Sequence, residues 1–212
     1  MAGQPGFCGI FVGSAAGGRP GRQAGAVGNR SRALGGADRA GAVKAGESAG
    51  RDWQRSKVYA AEQFVRTLFD RAAEHGSRSV DFFGAQLTLP PEARFGSVPA
   101  VQRYVNDVLA LPSVRRQWPK VAPLTVRSRR AATAAHYENR DGTGVIAVPD
   151  LDTADWAMRE LVVLHEIAHH LCDTQPAHGS QYVATLCTLA ELVMGPELGH
   201  VLRVVYAKEG VR

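Results

Sequence analysis

The chain has 212 residues, a formal net charge of +5 and an isoelectric point of about 9.4. That length accommodates one domain with a hydrophobic core and hardly two. Residues 1–50 carry six Lys and Arg against two Asp and Glu, whereas residues 51–212 carry nineteen against eighteen. The basic charge therefore lies mostly in the first fifty residues, and we expect no nucleic-acid partner for the rest.

The sequence shows no membrane or secretion signal. No run approaches the eighteen or so apolar residues that a transmembrane helix needs. The short apolar run Phe7–Val12 contains a glycine and has no basic residue before it, unlike a signal peptide. Three cysteines, Cys8, Cys172 and Cys187, are too few and too scattered for a disulfide framework. A cytoplasmic location with reduced thiols is therefore expected.

Residues 1–50 have the composition of a disordered segment. They contain fourteen of the 23 glycines and show neither a helical nor a strand period. Such a segment cannot bury enough apolar surface to offset the entropy of ordering it, so we predict a disordered Gly/Ala/Arg-rich tail. The folded domain is predicted to comprise residues 51–212.

The first predicted element of this domain is an amphipathic helix from Asp52 to about Glu74. Apolar residues recur there at helical spacing, and the sequence His75-Gly76-Ser77 stops the helix. Charged residues fill the remaining positions. We assign them, including Glu62 and Arg66, to the solvent-exposed face.

The middle of the chain predicts a second helix and several short strands. Residues 79–89 favour one or two strands, and residues 98–111 favour a helix with a proline in its first turn. Residues 124–129 alternate as a strand does. Residues 134–148 have the pattern of a β-hairpin, with Asp141-Gly142 in the turn.

The last third of the chain predicts three helices. The first contains the segment 161–171 and is expected to begin at a cap on Asp152 or Thr153. Its apolar stripe is expected to pack against the sheet. Two further helices are predicted at about 180–194 and 197–207, separated by a Gly-Pro break. The whole pattern predicts an α+β domain.

The chemistry of the chain is concentrated in His165-Glu166-Ile167-Ala168-His169. On a helix, His165 and His169 lie one turn apart on one face, so both imidazoles can bind one Zn²⁺. Glu166 is placed to take a proton from a zinc-bound water, which then attacks a peptide carbonyl. Random placement of seven His and ten Glu would produce this motif in roughly one such chain in a hundred, which favours a metal site over surface histidines.

A catalytic zinc site usually needs a third protein ligand. His178 lies nine residues after His169, beyond a turn long enough to bring it back to the metal, and is the favoured candidate. Glu191 on the next helix is an alternative. Asp173 is a weaker one, because on a continuous helix it would be too far from His165 to share the ion.

Other residues near the motif have less defined roles. His170 points about 100° away from His169 and is expected to be a packed or supporting residue rather than a ligand. Cys172 and Cys187 are expected to be core thiols. No spacing selects among four candidate donors to an oxyanion. These are His136, Tyr137, His200 and Tyr206.

The sequence from His165-Glu166-Ile167-Ala168-His169 to His178-Gly179-Ser180-Gln181-Tyr182 resembles the SprT-like and related zincin metallopeptidases. In these, a His-Glu-x-x-His helix is followed by a His-Gly-x-x-aromatic step that opens the next helix. The resemblance covers roughly residues 155–194. It implies a zincin-like α+β fold, in which a small, mostly antiparallel sheet packs on the motif helix and on a following long helix. It also implies zinc ligands at His165, His169 and His178 and a catalytic Glu166.

The span from about Arg51 onward also resembles a family of actinobacterial metallohydrolases with this motif. The favoured function is a zinc-dependent metallopeptidase that acts on a protein or peptide, without a membrane partner. One alternative is a zinc-dependent hydrolase of another bond, such as an RNA phosphodiester, which Glu166 disfavours. A second is a non-catalytic binding module with a structural metal, which would need a fourth protein ligand.

Overall fold

The structure is a computed structural model that describes residues 52–130, 134–140, 142–149, 155–172 and 174–212. The predicted disordered tail lies outside the described residues, as do the predicted caps Asp152 and Thr153. The described residues form an α+β fold with helices and two small sheets, which confirms the predicted class at this level.

The helices and strands follow one another along the chain with short connections. The helices are α1 (Arg55–Glu74), α2 (Val98–Ala110), α3 (Pro112–Gln117), α4 (Glu160–Leu171), α5 (Ser180–Met194) and α6 (Pro196–Lys208). The strands are β1 (Ser79–Phe82), β2 (Ala85–Thr88), β3 (Leu124–Arg129), β4 (His136–Arg140) and β5 (Thr143–Pro149). The predicted positions of these elements are confirmed, apart from α3, which was not predicted, and the start of α4. No helix in the described ranges is long and apolar enough to cross a bilayer.

The sheets combine two hairpins with one parallel pairing. β1 and β2 form an antiparallel pair, and β4 and β5 form a second one whose closing residues are Arg140 and Thr143. β3 pairs with the other side of β5 in parallel, so the strand order is β3-β5-β4. Two of the three strand pairs in the described residues are therefore antiparallel. β4 is an edge strand, and it contacts α4.

Helix α4 lies at the centre of the fold. It contacts α2, α5, β4 and β5, and every residue from 160 to 168 is buried. The sequence predicted that one apolar stripe of this helix would be buried. The structure buries the helix on all sides over these residues. A helix that is apolar nearly all round is typical of a buried one. His165 consequently lies in the interior, and His169, just beyond the buried stretch, is half-buried.

The start of α4 differs from the prediction. The helix begins at Glu160, after a short 3₁₀ helix over residues 155–158, and not at an Asp or Thr cap. The Glu160 N–H donates to the carbonyl of Ala93, and its carboxylate accepts from the Ala93 N–H at 2.7 Å and from the Tyr104 hydroxyl at 2.6 Å. The partners that begin this helix thus come from a distant segment of chain.

The solvent-exposed assignment of Glu62 and Arg66 is wrong. Both are buried, with exposed fractions of 1% and 7%. Charged groups are buried only when other groups pair with them. Glu62 is paired with His165 of α4, and Arg66 lies 3.9 Å from the Glu62 carboxylate. The spacing of charged and apolar residues shows polarity but not burial, so the sequence predicted that Glu62 and Arg66 would face solvent.

Candidate metal centre

Two histidines from α4 and one from the loop before α5 come together. His165 and His169 lie on the same face of α4, one turn apart. The loop after α4 returns the chain to this face at His178, just before α5 begins. The candidate ligand nitrogens of all three rings lie within 4.8 Å of one another. Among the described residues, these three histidines form the group of His, Cys, Asp or Glu side chains that is close enough together to hold a metal ion.

The three rings fit a shared ion. The Nε2 atoms of His165 and His169 are 3.2 Å apart. Two nitrogens bound tetrahedrally to one zinc, each at about 2.0–2.1 Å, are about 3.4 Å apart. Nε2 of His178 is buried and has no hydrogen-bond partner among the described residues. Buried polar atoms nearly always have a partner, so this orphaned nitrogen fits a ligand for an ion.

Glu62 of α1 fixes the orientation of His165. Nδ1 of His165 donates to both Glu62 carboxylate oxygens, at 2.9 and 3.0 Å, and the Tyr206 hydroxyl donates to Oε1 at 2.9 Å. Burial alone would raise the pKa of Glu62, but the charge and the hydrogen bond of His165 lower it below its usual value. The carboxylate therefore stays ionised. A carboxylate in this position orients a metal-binding imidazole and increases its basicity.

The same pair affects the proton on His165. Burial alone would lower the pKa of this histidine, but the charge of Glu62 and the hydrogen bond to it raise the pKa above its usual value. The pairing with Glu62 therefore favours the protonated form of the ring in the metal-free protein. Metal binding here would release the Nε2 proton, as is general for histidine ligands.

Asp52, three residues before α1, supports His178 in the same way. Nδ1 of His178 donates to Asp52 Oδ2 at 2.6 Å. Burial lowers the pKa of His178, against the opposing effect of Asp52, so its Nε2 keeps a lone pair at neutral pH. Gln54 holds the backbone here, because its amide donates to the carbonyls of His178 and Arg212, at 3.2 and 2.8 Å.

His169 is held as a neutral ligand by its surroundings. Burial and the charges of His165 and His178 lower the pKa of His169 to about 2. Its ring stacks on Tyr182, with the ring centres 4.3 Å apart. The Tyr182 hydroxyl in turn donates to the backbone carbonyl of His165 at 3.4 Å. The ring therefore has a fixed plane and a lone pair available for an ion.

Glu166 lies beside the three histidines and is 4% exposed. Burial raises the pKa of its carboxyl group, while the charge of His165 and a hydrogen bond from the backbone N–H of Tyr137 lower it; the net direction is upward. The side chain lines a cavity of about 330 Å³ that also borders His169 and His178. A carboxylate whose pKa is closer to neutrality, at the edge of an open cavity, is suited to accept and return a proton.

The cavity has two further polar walls. From α1 come Arg55 and Tyr59, and from β4 come His136, Tyr137 and Asn139. The Tyr59 ring lies 5.4 Å from the ring of His165 and 5.4 Å from that of His178, measured between centres. The metal centre is therefore at the floor of a cleft between α1 and the edge of the sheet.

The structure separates the competing third ligands. His178 joins His165 and His169, whereas Glu191 is partly exposed and pairs with Arg203. Asp173 lies outside the described residues. Of the predicted site residues, His165, Glu166, His169 and His178 are thus brought together.

The other predicted candidates divide between the cleft and the rest of the molecule. His170 is not in the metal cluster; its ring contacts the Tyr137 hydroxyl at 3.2 Å and donates to the Ala122 carbonyl at 2.8 Å. His136 is exposed in the cleft, while His200 packs near Phe82 instead.

Tyr206 and Cys187 are buried in the core, whereas Cys172 lies at the cleft. Tyr206 donates to Glu62 and is buried. Burial raises the pKa of the Cys187 thiol to about 11, as expected of a core thiol. Cys172 differs from the prediction, because it is half-buried, lines the cleft and contacts Thr174 Oγ1 at 3.1 Å.

Three residues of the site were missed from the sequence, namely Asp52, Tyr59 and Glu62. A signal for two of them exists, because polar and aromatic residues of α1 recur at helical spacing along one face. That series is Arg55, Tyr59, Glu62 and Arg66. A polar stripe on a helix that also carries a continuous apolar stripe suggests two buried faces. Nothing local to Asp52 marks it as a partner of His178.

Comparisons of the chain with protein-family models, with curated proteins and with solved structures found no match. The chemistry of the metal centre therefore follows from its own residues. These are three imidazole nitrogens, two carboxylates that each support one ring, and Glu166 at the cavity.

Proposed function

We propose that the protein is a zinc-dependent metallopeptidase with Glu166 as its general base. One observation carries the proposal: three histidine rings with candidate ligand nitrogens within 4.8 Å of one another lie beside a buried glutamate at an open cleft. Three protein ligands and an accessible cavity are the arrangement of a catalytic site, since structural zinc sites are closed by four protein ligands.

The ligand set supports zinc. Nitrogen ligands suit zinc and several transition metals, and carboxylate support behind the imidazoles is common at zinc sites. Zinc held by His165, His169 and His178 would act as a Lewis acid, which makes water more acidic and polarises a carbonyl group. Glu62 and Asp52 hold two of the three rings in the orientation that leaves Nε2 for the ion.

Glu166 would manage the proton. Its carboxylate takes a proton from the attacking water and then gives it to the nitrogen of the departing amine. The raised pKa suits a proton carrier, because a more acidic carboxyl group would hold the proton too weakly to keep it until the amine departs. The backbone N–H of Tyr137 keeps the side chain directed to the cleft.

The edge of the sheet supports a peptide as substrate. β4 pairs with β5 on one side, and Tyr137 and Asn139 of β4 line the cleft. Residues two apart present their backbone groups to the same side of an antiparallel strand. Because the Tyr137 N–H already donates to Glu166, an extended peptide could lie along the exposed part of this strand at Asn139, which would bring its carbonyl groups past Glu166.

Metal analysis and cleavage profiling of purified variants would test the proposal. We expect wild type and Glu166→Gln each to hold about one zinc per chain, and only wild type to cleave peptides from a proteome digest. His178→Ala should lose zinc and activity, whereas His200→Ala, a histidine outside the cleft, and Glu191→Ala should retain both. Zinc-free wild type, or cleavage by Glu166→Gln, would overturn the assignment.

A further inference from the structure

We propose that Tyr59 is a catalytic residue that donates a hydrogen bond to the substrate carbonyl oxygen as it becomes negatively charged, and that Arg55 positions it. The proposal rests on the peptidase function proposed above. It adds a residue from the first helix of the domain, more than a hundred positions before the metal-binding motif in the sequence. Stabilisation of such an oxyanion is usually a large contribution to catalysis.

The position of Tyr59 suits this role. Its ring stacks on His165 at 5.4 Å with an interplanar angle of 29°, and lies at the same distance from His178. Tyr59 and Glu166 both line the cleft. Burial raises the pKa of Tyr59 most, and the nearby charge of Glu166 raises it further. A carbonyl group bound between the histidines and Glu166 would therefore lie beside this side chain.

The helix beneath Tyr59 fixes the side chain in place. Glu62, less than one turn further along α1, is tied to His165 and Tyr206. That buried pair sets the rotation of α1 relative to α4, and so directs Tyr59 towards the metal centre. A donor held in place before the reaction stabilises developing charge without a cost of reorganisation.

The hydroxyl hydrogen of Tyr59 has no acceptor among the described residues, unlike those of the other four tyrosines. Their hydroxyl groups contact groups of the protein, namely Tyr104 with Glu160, Tyr137 with His170, Tyr182 with the His165 carbonyl, and Tyr206 with Glu62. Among the described residues, the Tyr59 hydroxyl donates to no acceptor, and its side chain is 36% exposed towards the cleft. Its O–H is thus free to donate to a substrate.

Arg55 strengthens this donor. Its guanidinium lies 5.5 Å from the centre of the Tyr59 ring, one turn earlier on α1, and its side chain lines the same cleft. Burial raises the pKa of Tyr59 on balance, while the charge of Arg55 and its hydrogen bond to the tyrosine oxygen oppose that rise, and the positive charge favours a nearby oxyanion. Arg55 would therefore act through Tyr59 and through its field.

His136 is the main competitor for this role. It also lines the cleft, but it is exposed and comes from the end of β4. An exposed imidazole at the end of an edge strand is weakly fixed in position. Tyr59, packed against two rings of the metal centre, is the better-placed donor.

The experiment compares binding of a tetrahedral analogue with binding of an intact peptide. The probes are the best-cleaved peptide from the profiling above and its phosphinic analogue, whose phosphorus oxygens imitate the charged oxygen. We expect the affinity of Tyr59→Phe for the phosphinic analogue to fall about 10²–10³-fold by calorimetry. The intact peptide should bind Glu166→Gln and Glu166→Gln/Tyr59→Phe within about twofold, and zinc content should stay near that of wild type.

The kinetic result should agree with the binding result. Tyr59→Phe should lower kcat by a similar factor with little change in KM, and Arg55→Gln should have a smaller effect in the same direction. Equal affinity of Tyr59→Phe and wild type for the phosphinic analogue, or the whole loss appearing in His136→Ala, would overturn the inference. If wild type neither holds zinc nor cleaves, the proposed function itself fails, which is a distinguishable outcome.

Discussion

Charged side chains link α1 to α4, or to the residue just before it, at two places. The two places differ in how many of their polar atoms find a partner. At the metal centre, Glu62 of α1 pairs with His165 of α4. Near the start of α4, Arg159 pairs with Asp70 of α1 and with Glu92; we call these three residues the arginine cluster. Each place brings an ionised carboxylate to a cation or imidazole across the same two helices.

The difference lies in how many polar atoms find a partner. In the arginine cluster, Nε and both terminal nitrogens of Arg159 donate to protein oxygens: two carboxylate groups and the Arg66 carbonyl. At the metal centre, Glu62 is satisfied, but Nε2 of His178 has no partner among the described residues and two other Nε2 atoms face each other. Satisfied charges hold the fold together, whereas nitrogens that lie close together without full protein partners are positioned to bind an ion.

The largest effect is expected from breaking the arginine cluster. Arg159→Met should lower the free energy of unfolding by about 3–5 kcal/mol, because Glu92, whose side chain is 4% exposed, would be left buried without its partner. Urea unfolding would measure this loss. Zinc content of the folded fraction should be unchanged, since the cluster supports the helix and not the ion.

Arg94→Met is the matched control for that experiment. Arg94 pairs with the same Asp70 carboxylate but is 55% exposed, so its removal should cost no more than about 1 kcal/mol. Equal losses of unfolding free energy in the two variants would show that the burial of Arg159 does not make its ion pairs stronger than that of Arg94.

The next effect is expected in metal affinity. Glu62→Gln should weaken zinc binding by about 10–100-fold in a competition assay with a chelator, because a neutral amide orients His165 less well and does not increase its basicity. Asp52→Asn should have a smaller effect, since the Asp52 side chain is 25% exposed and water competes for His178. Glu191→Gln is the control, and affinity unchanged in Glu62→Gln would contradict the supporting role.

The smallest effect is expected in acid, from Asp70. Partial burial opposes its ionisation, but hydrogen bonds from Arg159 and Arg94 and their charges hold its pKa below the usual value. The carboxylate therefore stabilises the folded state fully above the unfolded pKa of about 3.9, and this contribution is lost as pH falls through the lower folded pKa. The difference in urea midpoint between wild type and Asp70→Asn should be constant from about pH 7 to 5 and shrink below about pH 4. A difference that grew in acid would contradict the sign of this shift.

Much of the secondary structure was predictable, because short-range patterns produce it. The spacing of apolar residues marked α1, α2, α5 and α6, and the Asp-Gly pair marked the hairpin that forms β4 and β5. The start of α4 was mispredicted, since its partner Ala93 is far away in the sequence. The parallel pairing of β3 with β5 was equally invisible, because alternation is the same in both directions.

The two motif histidines of the candidate metal centre followed from the sequence by themselves, whereas the choice of His178 over Glu191 and the residues that support the site did not. His165 and His169 are four positions apart and must share a face of any helix, so local geometry determines their meeting. Glu62 lies 103 positions before His165, and Asp52 lies 126 before His178. Glu62 looked like a solvated side chain until the fold placed it against His165, and nothing local tied Asp52 to His178. Only the tertiary structure decided which carboxylates are ionised partners, which tyrosine faces the cleft, and which nitrogen is left without a partner, because burial turns a polar group into a specific contact.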